Sequence, residues 1–594
     1  MSSFKTNSQG ALVLAGASEF SDSDYISLAP STSYFVGDVM PAALDTFQSK
    51  TTDAPSNIAA GGSPLDGAVG GSPFDATVIG GIASSGSNDV NALIYGTKWS
   101  GAITYSFPTL FATYGAYSHT VGTFAQVSLT QRDAIRKILG GNNQTGVGSF
   151  NSFDKVANIS ISETSGFNDP SDIMVGQATN FDGSVLGTAR VADFPRLDQR
   201  SDSGDVWFGT NYDFTNPIKG TYYWHAHIHE LGHALGLKHG HDASHGQFGV
   251  ALSSNFDTME YSVMTYRSYV GGSTSGGYTN ETYGYAQTLM AMDILALQNL
   301  YGANYTTNSS GTVYSWSPTT GEMYINGAGQ GAPGTGLGGS SNRIFLTIWD
   351  GGGSDWYNMS NYTGAVSIDL RPGLYSTTST AQLANLGSGH MARGNVFNAF
   401  LFNGDARGYI ENAIGGSADD TIIGNETANL LYGLGGNDTI FAFGGNDTIA
   451  GGAGNDKMWG VDGDDYILGE DGDDFFSGGT GNDVLVGGAG IDAMYGEDGV
   501  DALFGGAGAD LYIGGAGTDY FYLNDDLASN VLDTIFDFNA GGAPDYIVLP
   551  GANYTTFYDY GGSAWAATWN GTAYHYTAVF GTTAAILQAQ TVYV

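Results

Sequence analysis

From Gly415 to Tyr522 the sequence divides into twelve consecutive nine-residue units with no insertion or deletion. Three neighbouring units read GGAGNDKMW, GVDGDDYIL and GEDGDDFFS, which follow the pattern GGxGxDxUx, where U is a large apolar residue, except that Val461 and Glu470 replace the second glycine. Such a unit can bury its apolar residue only by stacking against the next copy. This segment therefore predicts an all-β parallel β-roll, and its strict register argues against a low-complexity acidic linker.

The sixth position of each unit carries a side-chain oxygen. Glycines in the unit allow tight turns, so backbone carbonyls and the carboxylate can form the all-oxygen shell that Ca²⁺ prefers. Asn429 replaces the carboxylate in one unit but keeps an oxygen. Without calcium, stacked rows of aspartates would repel one another and oppose folding. The expected calcium ligands are Asp420, Asp438, Asp447, Asp456, Asp465, Asp474, Asp483, Asp492, Asp501, Asp510 and Asp519.

Composition restricts the classes of partner. The chain has 18 basic and 58 acidic residues, for a formal net charge of -40, which argues against nucleic acid and anionic membranes as ligands. It contains no cysteine, so disulfides, cysteine nucleophiles and thiolate zinc ligands are excluded. No apolar run approaches the roughly 18 residues that a membrane span needs.

A second motif, HELGHALGLKH, occupies residues 229–239. On a helix, His229 and His233 lie one turn apart on the same face and can bind one metal ion. Gly236 can end the helix with a positive φ, so that the chain turns and brings in His239 as a third ligand. Three imidazoles leave a zinc ion with a position open to water, which is typical of a catalytic site. Glu230 is placed to act as general base, and the chemistry this suits is peptide-bond hydrolysis.

Residues 262–266 read SVMTY, and HExxHxxGxxH followed by such a Met-turn is the metzincin signature. Together with the nonapeptides, the chain resembles the serralysins, which are secreted zinc proteases with a C-terminal calcium β-roll. The resemblance runs from about residue 91 to the end and includes the stretches 157–160, 293–304, 345–355 and 410–425. It implies that Met264 forms an apolar floor under the histidines. It also implies that Tyr266 is an extra zinc ligand that steadies the transition state.

The composition and the element pattern divide the chain into five parts. These are a flexible leader or propeptide (1–90), an α+β metzincin protease domain (91–304), a β-rich connecting region (305–414), the β-roll (415–522) and a β-rich C-terminal cap with an export signal (523–594). In the second part we expect three strands and three helices, at 102–108, 156–162 and 172–178, and at 128–139, 222–237 and 286–302 respectively.

The serralysin resemblance also implies a cellular location. Family members are exported by an ABC-transporter (type I) machine that reads a C-terminal signal, so we expect a secreted, extracellular monomer that acts on protein and peptide substrates. A poor N-terminal signal peptide and a roll that folds only at extracellular calcium concentrations fit that route.

Two other functions are open. Calcium nonapeptides also occur in non-catalytic surface and adhesive proteins, and a nonapeptide-bearing lipase is a weaker alternative because no convincing GxSxG elbow is found.

The roles of four further acidic residues are also open. Asp293 either bonds the Met-turn or is an exposed helix acid, Asp355 is the half-nonapeptide ligand of an isolated calcium, and Asp533 and Asp537 either close the roll or are solvated.

Overall fold

The structure is a computed structural model that describes residues 4–6, 12–14, 76–111, 121–141, 150–164, 171–181, 184–185, 190–192, 194–196, 203–210, 212–334, 341–523, 532–539, 543–549, 554–561, 563–569 and 574–593. The chain separates into two units, residues 1–69 and 70–594. In the first unit only the antiparallel hairpin of β1 (Phe4–Thr6) and β2 (Leu12–Leu14) is described. The rest of the expected leader up to residue 75 lies outside the described residues.

Residues 76–303 form a mixed α and β region that we call the histidine module. Its elements are β3 (Thr77–Gly80), α1 (Asn88–Asn91), β4 (Thr97–Ser100), β5 (Ile103–Ser106), β6 (Phe124–Ala125), α2 (Leu129–Leu139), α3 (Phe153–Val156), β7 (Ile161–Glu163), β8 (Ile173–Ala178), β9 (Asn180–Phe181), β10 (Ser184–Val185), β11 (Arg190–Ala192), β12 (Val206–Gly209), α4 (Tyr222–Ala234) and α5 (Ala291–Tyr301).

The histidine module contains one mixed sheet with the strand order β11-β12-β8-β5-β7, and β6 pairs with β8 at its side. Neighbours from β12 to β7 run parallel, whereas the edge strand β11 is antiparallel to β12. Helices α4 and α5 pack their buried residues into one hydrophobic core with the sheet. This arrangement confirms the α+β class expected for the region.

The structure corrects several element boundaries. Helix α4 ends at Ala234, three residues before the expected end, because Leu235 to Leu237 already form the turn. Helix α5 begins at Ala291 and not at 286, since the Asp293 carboxylate accepts the Met290 N–H and caps it there. The expected strand 156–162 is wrong in its first half, where α3 ends at Val156.

Residues 76–90, which the sequence analysis assigns to the leader, pack into the histidine module. Strand β3 pairs antiparallel with β4, and Val78, Ile82 and Val90 are buried in the module's core. The N-cap Ser87 accepts the Val90 N–H and starts α1. Apolar side chains spaced among the many Ser and Gly residues explain why this segment orders despite its composition.

The connecting region and the C-terminal region extend the roll at both ends. Their strands are β13 (Val313–Trp316), β14 (Met323–Ile325), β15 (Ala328–Gly329), β16 (Leu346–Ile348), β17 (Trp356–Asn358), β18 (Ser367–Asp369), β19 (Tyr375–Ser376), β20 (Asn385–Gly387), β21 (His390–Met391), β22 (Val396–Asn398), β23 (Asn412–Ile414), then β36 (Leu532–Ile535), β37 (Tyr546–Leu549), β38 (Tyr554–Tyr560), β39 (Ser563–Trp569), β40 (Tyr574–Val579) and β41 (Thr591–Tyr593). Short 3-10 turns occupy Thr380–Gln382, Phe402–Gly404 and Ala406–Gly408, and helix α6 (Ala584–Ala589) precedes β41.

The roll consists of two parallel sheets built from alternating nonapeptides. Its strands are β24 (Thr421–Asn425), β25 (Leu430–Gly435), β26 (Thr439–Gly444), β27 (Thr448–Ala453), β28 (Lys457–Asp462), β29 (Tyr466–Asp471), β30 (Phe475–Thr480), β31 (Val484–Ala489), β32 (Ala493–Gly499), β33 (Ala502–Ala507), β34 (Leu511–Gly517) and β35 (Tyr520–Tyr522). Each strand from β24 to β33 pairs with the strand 18 residues later, for example Ile440 with Met458, so two units form one coil. This confirms the expected parallel β-roll.

The eighth residue of every unit points into the roll and is buried on the same residue of the next coil. The continuous apolar row extends into the connecting region through β17 and β23 and into the C-terminal region through β36 and β37. Among the described residues, no helix is long and apolar enough to cross a membrane.

Candidate metal centre

Helix α4 carries the first two histidines of the motif. The Thr221 side chain caps its start by accepting the Trp224 N–H. His229 and His233 are one turn apart on a helix that is buried along most of its length. The carbonyls of Val263 and Leu237 lie 2.7 Å from the Nδ1 atoms of His229 and His233, respectively. Because a carbonyl can only accept, each Nδ1 carries the proton and each Nε2 presents a lone pair.

Those lone pairs converge with that of a third ring. His239 Nε2 lies 3.1 Å from His229 Nε2 and 3.0 Å from His233 Nε2. Tetrahedral zinc bound at 2.0–2.1 Å by nitrogen would separate its ligands by about 3.3 Å, which is close to these distances. His239 can donate to only one of the other two rings, so three converging nitrogens favour a cation between them. Among the described residues these three are the one set of three or more histidine, aspartate or glutamate side chains whose ligand atoms all lie within 4.8 Å of one another.

The turn after α4 places His239. Gly236 has φ of +101°, which favours glycine, and the Leu237 N–H returns to the Gly232 carbonyl at 2.9 Å. A β-carbon at position 236 would also lie 2.5 Å from the Thr97 carbonyl oxygen on β4. The backbone conformation and the contact with β4 therefore both require glycine here.

Replacement of Gly236 by alanine should misplace His239. The variant combines an unfavourable positive φ, which costs about 1–2 kcal/mol, with the clash against Thr97. We expect a lower apparent melting temperature and at least a tenfold weaker zinc affinity, measured by competition with a chromogenic chelator. Gly271→Ala is the matched control, because Gly271 has φ of +78° with no atom within 4 Å of a built β-carbon. Equal zinc affinity in the two variants would contradict this role of Gly236.

The segment expected to be the Met-turn lies directly under the helix. Met264 is fully buried, and its Sδ would be 2.9 Å from a β-carbon at Gly232. Asp293 holds this segment: its carboxylate accepts the Ser262 hydroxyl at 2.6 Å and the Val263 N–H at 2.7 Å. Burial raises the pKa of Asp293 to about 7, although these hydrogen bonds oppose the rise. Of the two interpretations of Asp293, the structure therefore supports the bond to the Met-turn.

Tyr266 contacts the imidazoles, and Glu230 adjoins His229 in the sequence of α4. The Tyr266 hydroxyl lies 2.9 Å from His239 Nε2, the atom that faces the other two rings, and the tyrosine ring is half-buried. Glu230 follows His229 on α4 and is buried, with 4% of its surface exposed. A phenol at the three imidazole nitrogens and a carboxylate next to His229 in the chain are residue types that metal-assisted hydrolysis uses.

The other histidines of α4 lie outside this group. His225 Nε2 is 3.2 Å from the Tyr278 hydroxyl, which in turn donates to the Thr265 carbonyl. His227 Nε2 is 3.0 Å from Gln131 Nε2 on α2. Both rings are fully buried and support the packing of α4.

The roll brings the sixth-position residues together in two rows, one along each sheet. In each row, Oδ1 of one aspartate accepts the backbone N–H of the sixth-position residue 18 positions earlier, for example Asp438 N–H to Asp456 Oδ1 at 2.7 Å. This contact repeats at 2.7–3.1 Å from the Asp420 N–H to Asp519 Oδ1. Every expected calcium ligand of the repeat lies in one of these rows.

The second oxygen of these aspartates is left without a donor. Within the described part of the chain, Oδ2 is buried and accepts no hydrogen bond in Asp438, Asp447, Asp456, Asp465, Asp474, Asp483, Asp492, Asp501 and Asp519. A β-carbon at Gly451, the first residue of its unit, would lie 2.2 Å from Asp456 Oδ2, so the glycine leaves the space that this oxygen occupies. Nine buried, unpaired carboxylate oxygens fit a series of hard cations.

The first two units of the repeat differ from the others. Both oxygens of Asp420 accept backbone N–H groups, from Val366 and from Gly416. The Asn429 amide oxygen accepts the Asn425 N–H at 2.8 Å, and its nitrogen donates to the Asn425 side chain at 3.2 Å. The amino-terminal ends of both rows are thus supplied with donors by the protein.

Without metal, the rows make folding depend on pH. Burial raises the pKa of Asp438 to about 6 and those of Asp447 and Asp483 to about 7. The folded roll therefore binds protons more tightly than the unfolded chain, and its stability falls as pH rises from about 4 to about 7. In chelator we expect far-ultraviolet circular dichroism to show more β structure at about pH 4.5 than at about pH 7.5. With calcium the order should reverse, because the cation needs ionised carboxylates. Identical spectra at both pH values in chelator would contradict this account.

A further carboxylate cluster lies in the connecting region. Asp355 is fully buried; its Oδ1 accepts the Thr312 N–H at 2.7 Å, and its own N–H donates to Glu411 at 2.8 Å. Burial raises the pKa of Asp350, and burial together with repulsion from Asp350 raises the pKa of Asp355. Burial also raises the pKa of Glu411 to about 7. Asp355 was singled out from the sequence as an isolated calcium ligand, but Asp350 and Glu411 were missed because they lie outside any nonapeptide.

Comparison with known proteins finds one matching repeat family and several similar metalloproteases. The family described as RTX calcium-binding nonapeptide repeat (4 copies) matches overlapping segments from residue 407 to 526, beginning with 407–440 and ending with 495–526. Metalloprotease AprA of Pseudomonas entomophila (strain L48) is 30% identical over 338 residues, which is 56% of this chain and 60% of that protein. Serralysin B of Dickeya chrysanthemi is 31% identical over 283 residues, 46% of this chain and 51% of that protein.

A third relative, Serralysin of Proteus mirabilis, is 34% identical over 236 residues, 39% of this chain and 41% of that protein. These comparisons confirm the serralysin resemblance and the calcium-binding repeat. The chain spans about half the length of the curated relatives that it matches.

Proposed function

We propose that this serralysin-like chain is a secreted, zinc-dependent endopeptidase whose β-roll is stabilised by calcium. The observation that carries the proposal is the convergence of the Nε2 atoms of His229, His233 and His239 within 3.0–3.1 Å contacts. Zinc held there would polarise a peptide carbonyl and make water a stronger acid. The names of the relatives, metalloprotease and serralysin, support the same activity.

Each side chain around the histidines has a defined role in this proposal. Glu230 takes a proton from the attacking water and passes it to the leaving amine. The Tyr266 hydroxyl, at the edge of the three rings, donates a hydrogen bond to the oxygen that gains negative charge in the transition state. The buried carbonyls of Val263 and Leu237 hold the His229 and His233 rings in one orientation, and Met264 fills the space beneath them.

The calcium sites serve folding and location. The paired sheets bury the carboxylate rows, so at neutral pH the roll should fold only where calcium occupies them. Such modules bind calcium at about 10⁻⁴–10⁻³ M, a concentration found outside the cell. We propose that the chain is exported unfolded by an ABC-type machine and folds after export as a monomer. The cluster of Asp350, Asp355 and Glu411 is a donor set for one more calcium.

A casein assay distinguishes the protease from a purely adhesive calcium protein. The calcium-loaded protein should hydrolyse casein, lose this activity when 1,10-phenanthroline removes zinc, and regain it when zinc is added in excess of the chelator. Calcium should be held constant throughout, so that the roll stays folded. A protein that contains both metals but cleaves no peptide in a mixed library would contradict the proposal and favour the adhesive role.

A further inference from the structure

Both aspartate rows continue beyond the last nonapeptide. Asp533 Oδ1 accepts the Asp510 N–H at 3.1 Å, and Asp545 Oδ1 accepts the Asp519 N–H at 3.1 Å. These are the contacts that each aspartate makes inside the roll, but here the partners are 23 and 26 residues apart in sequence instead of 18. Asp533 and Asp545 therefore occupy the next place in the two rows.

The second oxygen of Asp533 differs from those inside the roll. Its Oδ2 lies 2.8 Å from Nε2 of His575. The two side chains are 5% and 4% exposed, so the contact is buried. Because an ionised carboxylate only accepts, the histidine N–H is the donor. The oxygen that accepts no hydrogen bond in Asp438, Asp456, Asp474 and Asp492 of the same row is paired here by a side chain.

His575 lies on β40, which is the last strand of this sheet to pair in parallel with its predecessor. Strand β40 runs parallel to β36, with Asp533 opposite Thr577. At the place where the next coil of the roll would supply an aspartate, this strand supplies a threonine. No carboxylate from β40 follows Asp533 in the row, and a calcium ion there would lack the partner that each interior ion has.

The other row ends in a similar way. The second oxygen of Asp545 accepts the backbone N–H of Asn539, and the Asn539 side chain accepts the Asp545 N–H at 2.8 Å. Asp537, in the loop that leads to Asn539, is also paired: its two oxygens accept the N–H groups of Gly514 and Gly515 at 2.9 and 2.8 Å. The carboxyl-terminal ends of both rows therefore have protein donors where the interior has unpaired oxygens.

We propose that the protein itself closes both calcium rows, with the His575 N–H taking the place of a calcium ion at Asp533 and the Asn539 N–H doing so at Asp545. This inference rests on the calcium role in the proposed function. It assigns ion binding in the roll to the positions from Asp438 to Asp519 and excludes Asp533 and Asp545. A donor at the end of each row prevents a buried, uncompensated carboxylate where no further coil can complete an oxygen shell.

Calcium counting on the full-length protein tests this boundary. Wild type, Asp533→Asn and Asp492→Asn are equilibrated with calcium, freed of excess by gel filtration in calcium of known concentration, and analysed for bound ions per chain. Asparagine at 533 keeps an oxygen to accept the Asp510 N–H, and Asp492 is the matched interior residue of the same row. We expect Asp533→Asn to bind as many ions as wild type and Asp492→Asn to bind at least one fewer.

A third variant tests the histidine directly. His575→Ala leaves the second oxygen of Asp533 without its donor, and β40 supplies no carboxylate to complete a calcium shell, so we expect this variant to bind the wild-type number of ions and to melt at a lower temperature. The proposal is overturned if Asp533→Asn loses as many ions as Asp492→Asn, or if folded His575→Ala melts at the wild-type temperature. If His575→Ala does not fold, the calcium counts of Asp533→Asn and Asp492→Asn alone test the proposal. A wild type that binds no calcium in the roll would instead contradict the proposed calcium role, and casein hydrolysis by the same samples reports separately on the protease.

Discussion

Removal of calcium is expected to unfold the roll. In chelator at neutral pH, the full-length protein should lose most of the β signal of residues 415–522 and increase in hydrodynamic radius. The reason is the set of buried aspartate oxygens that accept no hydrogen bond, since each ionised carboxylate buried without a partner costs several kcal/mol. Circular dichroism with size-exclusion chromatography measures both changes, and calcium at about 10⁻⁴–10⁻³ M should reverse them.

Magnesium is the matched control for this result. It carries the same charge but demands a smaller octahedral shell and gives up its water reluctantly, so it should not restore the β signal at the same concentration. A spectrum that is the same in chelator and in calcium would contradict the account of the roll. Equal recovery with either ion would show that charge neutralisation alone is enough and would contradict specific calcium sites.

The second large effect is expected at Glu230. Glu230→Gln removes the proton acceptor but keeps the side-chain volume at a buried position, so zinc should remain bound while casein hydrolysis falls by about 10²–10⁴-fold. The measurement is kcat/KM on a fluorogenic peptide together with the zinc content of the same sample. Glu322→Gln, in the connecting region, makes the same change of charge and should leave both quantities unchanged.

The same assay separates the roles of Glu230 and Tyr266. Tyr266→Phe removes only the hydroxyl that lies 2.9 Å from His239 Nε2, so we expect a loss of about 10²-fold in kcat with little change in KM and with zinc retained. Full activity of Glu230→Gln at normal zinc content would contradict the assignment of Glu230 as general base. A Tyr266→Phe protein that loses its zinc would instead make the tyrosine mainly a ligand.

Features with a local period could be predicted from the sequence. The spacing of His229 and His233 needs only the helical repeat, and Gly236 marks the turn because positive φ favours glycine. The nonapeptide period predicted stacked parallel strands, since each unit must stack to bury its eighth residue, and the structure adds that the paired strands are 18 residues apart. For these features the sequence pattern and the tertiary structure express the same geometry.

Features that depend on distant parts of the chain could not be predicted in this way. The bond from Ser262 to Asp293 spans 31 residues, that from His575 to Asp533 spans 42, and the Asp355 N–H to Glu411 bond spans 56. The serine- and glycine-rich composition of residues 76–90 predicts a leader, yet four apolar side chains of this segment are buried in the core. In each case the partner is brought close by the fold, and no short motif records it.

The claim on which the enzymatic account depends is that His229, His233 and His239 bind one zinc ion together. Zinc analysis and zinc K-edge absorption spectroscopy on protein refolded with zinc and calcium test it most directly, with His233→Ala beside the wild type. The account predicts one zinc per chain in a shell of nitrogen and oxygen ligands at about 2.0–2.1 Å, and a severe loss of zinc from the variant. Wild type that retains no zinc, or a variant that retains it in the same shell, would contradict the account.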